Sequence, residues 1–145
     1  MLYPPYARGA PEPESMSQSR PLVLLVDDDP TICELVRELL ESEGYQVEST
    51  ADGTRGLERV RAGGVGLVLV DAHLPGMSGV ELCQQIRQQA SGAHLPLILF
   101  TALAGDVQGH AAAAGADDVL AKPFDLDELV ARVRRWLSGP GHQRA

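Results

Sequence analysis

Basic residues are few in this chain. Its 145 residues include 12 lysines and arginines against 20 aspartates and glutamates, so the formal net charge is -8. Proteins that bind DNA or RNA neutralise the phosphate backbone with a surplus of basic side chains, and this chain has a surplus of acidic ones. The charge balance therefore predicts no direct DNA binding.

Cysteines and long apolar runs are scarce as well. The two cysteines, Cys33 and Cys83, fall on the apolar sides of separate predicted helices, where free thiols fill core space in a reducing compartment. No apolar run approaches the roughly 20 residues that span a bilayer, and the amino terminus has no signal-like pattern. We predict a cytoplasmic protein without a disulfide or a membrane segment.

The chain divides into two short tails and one domain. Residues 1–20 are rich in proline, serine and glycine and show no periodicity, which predicts a disordered extension. The remaining length is typical of one domain, which we place at residues 21–138. Residues 139–145 then form a short C-terminal tail.

The predicted domain alternates strand and helix five times. Its strands are continuous apolar runs, which are typical of strands covered by helices on both faces. They are predicted near residues 22–26, 45–50, 66–70, 95–100 and 117–121. Right-handed crossovers between such strands give a doubly wound α/β fold, a five-stranded parallel sheet of the (βα)5 flavodoxin-like type with strand order 2-1-3-4-5.

Capping patterns mark the ends of the predicted helices. The first helix begins at Asp29 and Pro30 and stops at Gly44. The third and fifth helices open with residues in capping-box spacing. These pairs are Ser78 with Glu81 and Asp125 with Glu128.

Carboxylates stand at the ends of two predicted strands. Asp27 and Asp28 end the first strand and Asp71 ends the third. Because these strands are neighbours in the predicted order, the three side chains converge at the carboxyl edge of the sheet. Protonation or a divalent cation must relieve their repulsion, and we favour the cation. Oxygen ligands favour Mg²⁺, or Mn²⁺, over zinc.

His73 lies two residues after Asp71 and has two interpretations. Its imidazole could ligate a metal, but no second histidine stands at ligand spacing. The simpler alternative, which we prefer, is a loop residue that contributes only its backbone carbonyl.

From Leu22 to about Leu137 the chain resembles the receiver domain of bacterial two-component response regulators. Several segments carry the resemblance in order and at similar spacing. They are Leu-Val-Asp27-Asp28-Asp29-Pro, Val-Asp71-Ala-His-Leu-Pro-Gly-Met-Ser-Gly, Phe-Thr101-Ala102, Gly-Ala-Asp-Asp and Lys122-Pro123-Phe124.

The resemblance implies a site and a reaction. Asp71 would be the phosphoacceptor, a carboxylate nucleophile that takes a phosphoryl group from a histidine kinase. Magnesium would bind to Asp28, Asp71 and the carbonyl of His73, with Asp27 helping through water. Lys122, joined to its proline by a typically cis bond, would hold a phosphate oxygen, and the hydroxyl of Thr101 would donate to another.

The chain departs from the family pattern at Val119. In the family this position, three residues before the lysine, is aromatic. Partner proteins recognise the rotation of that aromatic side chain as the switch. Valine cannot rotate a ring between exposed and buried states, so we expect an altered output surface. Glycines at 105 and 109 also predict a short or loosely held fourth helix over residues 104–116.

The residues after Leu137 are too few for an output domain. We therefore expect output through another protein, either a histidine phosphotransfer protein in a relay or a target that the receiver binds directly. The alternative is that this chain is a fragment of a larger regulator. In the stand-alone case the chain is no enzyme beyond its own phosphorylation and dephosphorylation.

Two rival functions use the same residues differently. The Asp27-Asp28-Asp29-Pro30-Thr31 segment also fits the opening motif of haloacid-dehalogenase-type phosphatases, with Asp27 as nucleophile, but this leaves Asp71 unexplained. The second rival is a receiver-like interaction module that no longer uses phosphate. An inert module has little physical reason to keep mutually repelling carboxylates together.

Overall fold

The computed structural model describes residues 20–102, 109, 112 and 114–138. Among them are five strands, four helices and one 3-10 turn. In chain order these are β1 (Leu22–Val26), α1 (Pro30–Ser42), β2 (Gln46–Thr50), α2 (Gly53–Arg61), β3 (Leu67–Asp71), α3 (Gly79–Gln88), the turn Ala90–Gly92, β4 (Leu97–Thr101), β5 (Asp118–Ala121) and α4 (Leu126–Ser138).

Several predictions concern segments of the chain that lie outside the described residues. The expected tails, residues 1–20 apart from Arg20 and residues 139–145, lie outside the described residues. So does most of the segment 104–116, for which we predict a loose helix. Within it Gly109, Ala112 and Ala114 are helical.

The five strands form one parallel sheet in the order β2-β1-β3-β4-β5. β1 pairs with β2 and β3, and β4 pairs with β3 and β5, in each case in parallel. The predicted fold and strand order are confirmed. In the β3–β4 register Asp71 lies beside Phe100, which places the end of β3 next to the end of β4.

Helices cover both faces of the sheet because the strands are apolar on both sides. The first core cluster joins β-strand side chains to α1 and α4, through Val36, Leu40, Leu129 and Val133 among others. The second joins the opposite face to α2 and α3, through residues such as Val60, Leu82 and Ile86. Polar atoms are thereby concentrated at the two ends of the strands.

The predicted caps hold at α1 and α3. Asp29 accepts a hydrogen bond from the N–H of Thr31 at 2.9 Å, and the Ser78 hydroxyl accepts one from the N–H of Glu81 at 3.1 Å. At α4 the Asp125 carboxylate accepts from the N–H of Asp127, at 2.9 Å, one residue earlier than capping-box spacing suggests. Each helix start is satisfied by a local side chain.

The two thiols are free, as predicted. Cys83 on α3 is fully buried, and Cys33 on α1 is half-buried. No helix among the described residues is long and apolar enough to cross a membrane.

Candidate functional site

Three carboxylates meet where β1 and β3 end. Asp71 is the last residue of β3, and Asp27 and Asp28 directly follow β1. One oxygen from each lies within 4.8 Å of the others, which is the convergence that the strand order predicts. Among the described residues this is the cluster of acidic, histidine or cysteine ligands that could hold a metal ion, and its donors are all oxygens.

Asp27 is the most enclosed of the three, with 1% of its surface exposed. Its Oδ1 accepts a hydrogen bond from the N–H of Asp29 at 2.9 Å, and its Oδ2 lies 3.1 Å from the Lys122 ammonium. Burial raises the pKa of Asp27 above its usual range, although the Asp29 N–H and Lys122 oppose that effect. Asp28, by contrast, is exposed.

Asp71 is held by its own strand and loop. Its Oδ1 accepts from the N–H of His73 at 3.2 Å and lies 3.5 Å from the Lys122 ammonium. The next residue, Ala72, donates its N–H to the carbonyl of Phe100 at 2.7 Å. These bonds fix the carboxylate at the mouth of the site, where 6% of Asp71 remains exposed.

Lys122 connects the acidic residues to the far edge of the sheet. Its Nζ bridges Asp27 and Asp71. Burial by itself lowers the pKa of Lys122, but the bonds and charges of the two aspartates outweigh it, so the pKa is raised. The ammonium therefore stays charged and offsets part of the carboxylate repulsion.

The backbone brings Lys122 to this position. Its N–H donates to the carbonyl of Thr101 at 2.8 Å, and the Lys122–Pro123 peptide is cis, as the resemblance implied. Thr101 itself is 1% exposed at the end of β4. The predicted site residues Asp27, Asp71, Thr101 and Lys122 thus share one end of the sheet.

Gly79, the first residue of α3, belongs to this site although sequence reasoning assigned it no role. A Cβ at this position would press against the carbonyl oxygen of Asp71 and the Cα of Ala72. The N–H of Gly79 donates to the carbonyl of Ala72 at 2.9 Å, closing the loop after β3. The signal in the sequence was a glycine directly after the predicted cap Ser78, where other residues favour the helix more.

Val119 occupies the position at which the family pattern has an aromatic residue. It is half-buried and packs on the core cluster that lies on the α2 and α3 face. Its carbonyl accepts a hydrogen bond from Arg132 of α4 at 3.0 Å.

Comparison with known proteins agrees with this geometry. The family model of the Response regulator receiver domain matches residues 23–134. The DNA-binding dual master transcriptional regulator RpaA of Synechocystis is 40% identical over 119 residues, which are 81% of this chain and 49% of that protein. The DNA-binding response regulator MtrA of Mycolicibacterium smegmatis is 38% identical over 123 residues, 84% of this chain and 53% of that protein. The chain thus spans about half the length of these curated relatives.

Solved structures give the same result. A putative response regulator from Chloroflexus aurantiacus superimposes with a TM-score of 0.76 at 36% identity, covering 82% of this chain and 98% of that one. The receiver domain of the sensor histidine kinase PA1611 from Pseudomonas aeruginosa also gives 0.76, at 34% identity and with 83% and 99% covered, and it holds a magnesium ion in its active site cleft. On its fold, its sequence and the site at the ends of β1 and β3, this chain belongs to the response regulator receiver domain family.

Proposed function

We propose that Asp71 accepts a phosphoryl group from a histidine kinase or a histidine phosphotransfer protein, and that the phosphorylated chain signals to a partner protein by a conformational change. One observation carries the proposal. The carboxylate of Asp71 lies close to two further carboxylates, those of Asp27 and Asp28, and to the partly buried ammonium of Lys122. A histidine kinase as donor is supported by the family match, and one similar solved structure is the receiver domain of a sensor histidine kinase, PA1611.

The donor set fits a hard divalent cation. Three carboxylate oxygens within 4.8 Å suit Mg²⁺, with Mn²⁺ as a substitute. We assign the ion to Asp27, Asp28 and Asp71 together with the backbone carbonyl of His73. When bound, it supplies positive charge that offsets the charge of the phosphoryl oxygens.

The chain's own residues then carry out the transfer. A carboxylate oxygen of Asp71 attacks phosphorus, the bond from phosphorus to the donor nitrogen breaks with its electron pair leaving on the donor, and an acyl phosphate forms on Asp71. Lys122, now between Asp27 and Asp71, follows the new charge to a phosphoryl oxygen. The hydroxyl of Thr101 donates to another oxygen of the group.

Output is proposed to pass through another protein. Relatives such as RpaA and MtrA are named as DNA-binding regulators, and this chain covers about half of each. The net charge of -8 favours a protein partner over DNA for this chain. The only chemistry proposed for the chain is its own phosphorylation and dephosphorylation.

The test is intact mass after incubation with Mg²⁺ and a small acyl-phosphate donor. Wild type is compared with Asp71→Asn and Asp27→Asn, because the rival phosphatase mechanism uses Asp27 as its nucleophile. We expect one phosphoryl adduct in wild type, slower formation in Asp27→Asn and none in Asp71→Asn. An adduct that depends on Asp27 instead would support the phosphatase, and no adduct or Mg²⁺ binding in any folded form would support the inert interaction module.

A further inference from the structure

Phe100 lies between the two halves of the site. It is fully buried in β4 and sits beside Asp71 in the register with β3. Its carbonyl accepts the 2.7 Å hydrogen bond from Ala72, the residue after Asp71. The backbone of Phe100 therefore fixes the strand end that carries the phosphoacceptor.

The side chain of Phe100 makes the second connection, to the segment that carries Lys122. The ring of Phe124 packs on the ring of Phe100 with centroids 4.9 Å apart and planes tilted by 37°. The Lys122 ammonium lies 6.0 Å from the centroid of the same Phe100 ring. Tilted aromatic pairs at this separation are attractive, and a cation at the ring face adds to the attraction.

The Lys122 segment is consequently held at two points on β4. The N–H of Lys122 donates a hydrogen bond to the carbonyl of Thr101, and two residues later the ring of Phe124 packs at a tilt against Phe100. A lysine side chain is flexible and loses much rotational freedom when it is fixed. Anchoring the backbone on both sides of its Cα does not remove that side-chain cost, but it fixes the point from which the side chain of Lys122 reaches the site before the donor arrives.

We propose that Phe124 is a positioning residue for phosphoryl transfer: by packing its ring against Phe100 it sets the reach of Lys122 toward Asp71. This inference rests on the proposed function, since it assumes that Asp71 accepts phosphate. Phe124 is half-buried and lies at the margin of the first core cluster. Its ring packs on Phe100 and, as a hydrocarbon, cannot donate a hydrogen bond to a carboxylate of the site, so its effect passes through Lys122.

A double-mutant cycle separates positioning from simple core packing. The rate of adduct formation at Asp71 is measured for wild type, Phe124→Ala, Lys122→Ala and the double variant. We expect Phe124→Ala to slow the reaction about tenfold, because small displacements of a catalytic group are costly. In the Lys122→Ala background the same substitution changes the rate by about twofold or less, since the group it positions is gone.

Three further measurements make the interpretation specific. Phe124→Tyr keeps the aromatic ring, and its rate of adduct formation is expected to stay within about twofold of the wild-type rate. Leu126→Ala removes a nearby apolar side chain, 36% exposed, from the first turn of α4 and leaves the rate within about twofold. The affinity for Mg²⁺ stays within about twofold in Phe124→Ala, because the three carboxylates keep their places.

These measurements distinguish a positioning role of Phe124 from a purely structural one. An equal loss of rate in both lysine backgrounds, or a matching loss of Mg²⁺ affinity, would overturn positioning in favour of a structural role. A wild-type adduct with an unchanged rate in Phe124→Ala would overturn the inference and leave the proposed function standing. No adduct in wild type would overturn both. If Phe124→Ala does not fold, Phe124→Leu takes its place in the same cycle.

Discussion

Gly79 shows how one residue's lack of a side chain shapes the site. Any Cβ there meets the backbone of Asp71 and Ala72, and backbone cannot move aside as a flexible side chain does. We expect Gly79→Ala to lower the free energy of unfolding by about 1–3 kcal/mol, the usual cost of overpacking, and to slow phosphorylation of Asp71. Urea denaturation measures the first effect and intact mass the second.

Gly53 provides the matched control, because it too is the first residue of a helix that begins after an aspartate or serine cap. A Cβ at Gly53 meets the sulphur of Met77 at 3.1 Å, the far end of a flexible side chain. Gly53→Ala should therefore change stability by less than about 1 kcal/mol. Equal losses in the two variants would contradict the assigned role of Gly79.

The thiols differ in how readily they ionise. Burial raises the pKa of Cys83 to about 12, and burial also raises the pKa of the half-buried Cys33. A raised pKa keeps each thiol neutral in the folded state. The resulting contribution to the free energy of unfolding is fully present below the pKa of a thiol in the unfolded chain, about 8.5. It is lost as the pH rises from that value through the pKa of the folded state.

Alkylation reads this difference directly, since the thiolate is the reactive form. In native protein at pH 8, iodoacetamide should modify Cys33 well before Cys83, and both should react when urea is added. Peptide mapping by mass spectrometry gives the order. Equal native rates would mean that α3 opens far more often than its buried side chains suggest.

At the scale of elements, Arg87 joins three parts of the chain at the end of the sheet opposite the site. From α3 its guanidinium donates to the carbonyls of Gly92, Leu95 and Gly115 and pairs with Asp117 at 2.7 Å. Asp117 in turn accepts from the N–H of Leu97 at 2.9 Å. One side chain thus satisfies the turns that precede β4 and β5.

We expect Arg87→Ala to lower the free energy of unfolding by about 2–3 kcal/mol, because it leaves several partly buried acceptors without a donor. Arg134→Ala is the control, since Arg134 makes an exposed pair with Glu43 and such pairs contribute about 0–1 kcal/mol. Thermal or urea unfolding compares the two. Similar losses would show that Arg87 is only a surface charge.

Both edge strands of the sheet have an arginine bound to an outward carbonyl. Arg37 of α1 donates to the carbonyl of Val47 on β2 at 2.9 Å, and Arg132 of α4 donates to that of Val119 on β5 at 3.0 Å. Unpaired strand edges invite pairing with other chains, and charged side chains discourage it. The two arginines protect the edges in this way.

Removing that protection should promote self-association. The double variant Arg37→Ala, Arg132→Ala is expected to form dimers or larger species at concentrations where wild type is unchanged, as measured by light scattering after size exclusion. Arg59→Ala is the control, because Arg59 pairs with the Glu48 side chain and bonds the Gly63 carbonyl, leaving the β2 backbone alone. Equal behaviour of all three proteins would contradict edge protection.

Local patterns predicted the elements well, and long-range contacts explain what they missed. The apolar runs located β1 and β3 almost to the residue, and Asp29 and Ser78 marked two helix starts, because each signal acts within a few residues. Arg87 could not be assigned, since its partners Gly115 and Asp117 lie 28 and 30 residues away. Nothing in its own neighbourhood distinguishes it from a solvated arginine.

For the whole molecule, strand order is what made the site predictable. Once β1 and β3 are neighbours, Asp27, Asp28 and Asp71 must meet. The sequence could not show that Lys122 lies between Asp27 and Asp71, or that the ring of Phe124 packs against Phe100, because these contacts depend on side-chain packing between distant segments. Phe124 appeared in the sequence only as part of a family motif.

Mg²⁺ should stabilise the entire fold through this cluster. A ligand that binds only the folded state adds about 1.4 kcal/mol for each tenfold excess over its dissociation constant, and here it also relieves carboxylate repulsion. The melting temperature in excess Mg²⁺ should exceed that in EDTA for wild type, and by much less for Asp28→Asn, which loses an exposed ligand. An equal rise in both proteins would place the ion elsewhere.

The most direct test of the central claim is to locate the phosphorylated residue in the wild-type protein. An acyl phosphate on aspartate is reduced by borohydride to homoserine, which remains in the peptide and can be found by tandem mass spectrometry. After treatment with Mg²⁺ and an acyl-phosphate donor, we expect homoserine at position 71 and at no other aspartate. Homoserine at position 27 or 28, or a stable adduct with no homoserine, would contradict Asp71 as the phosphoacceptor.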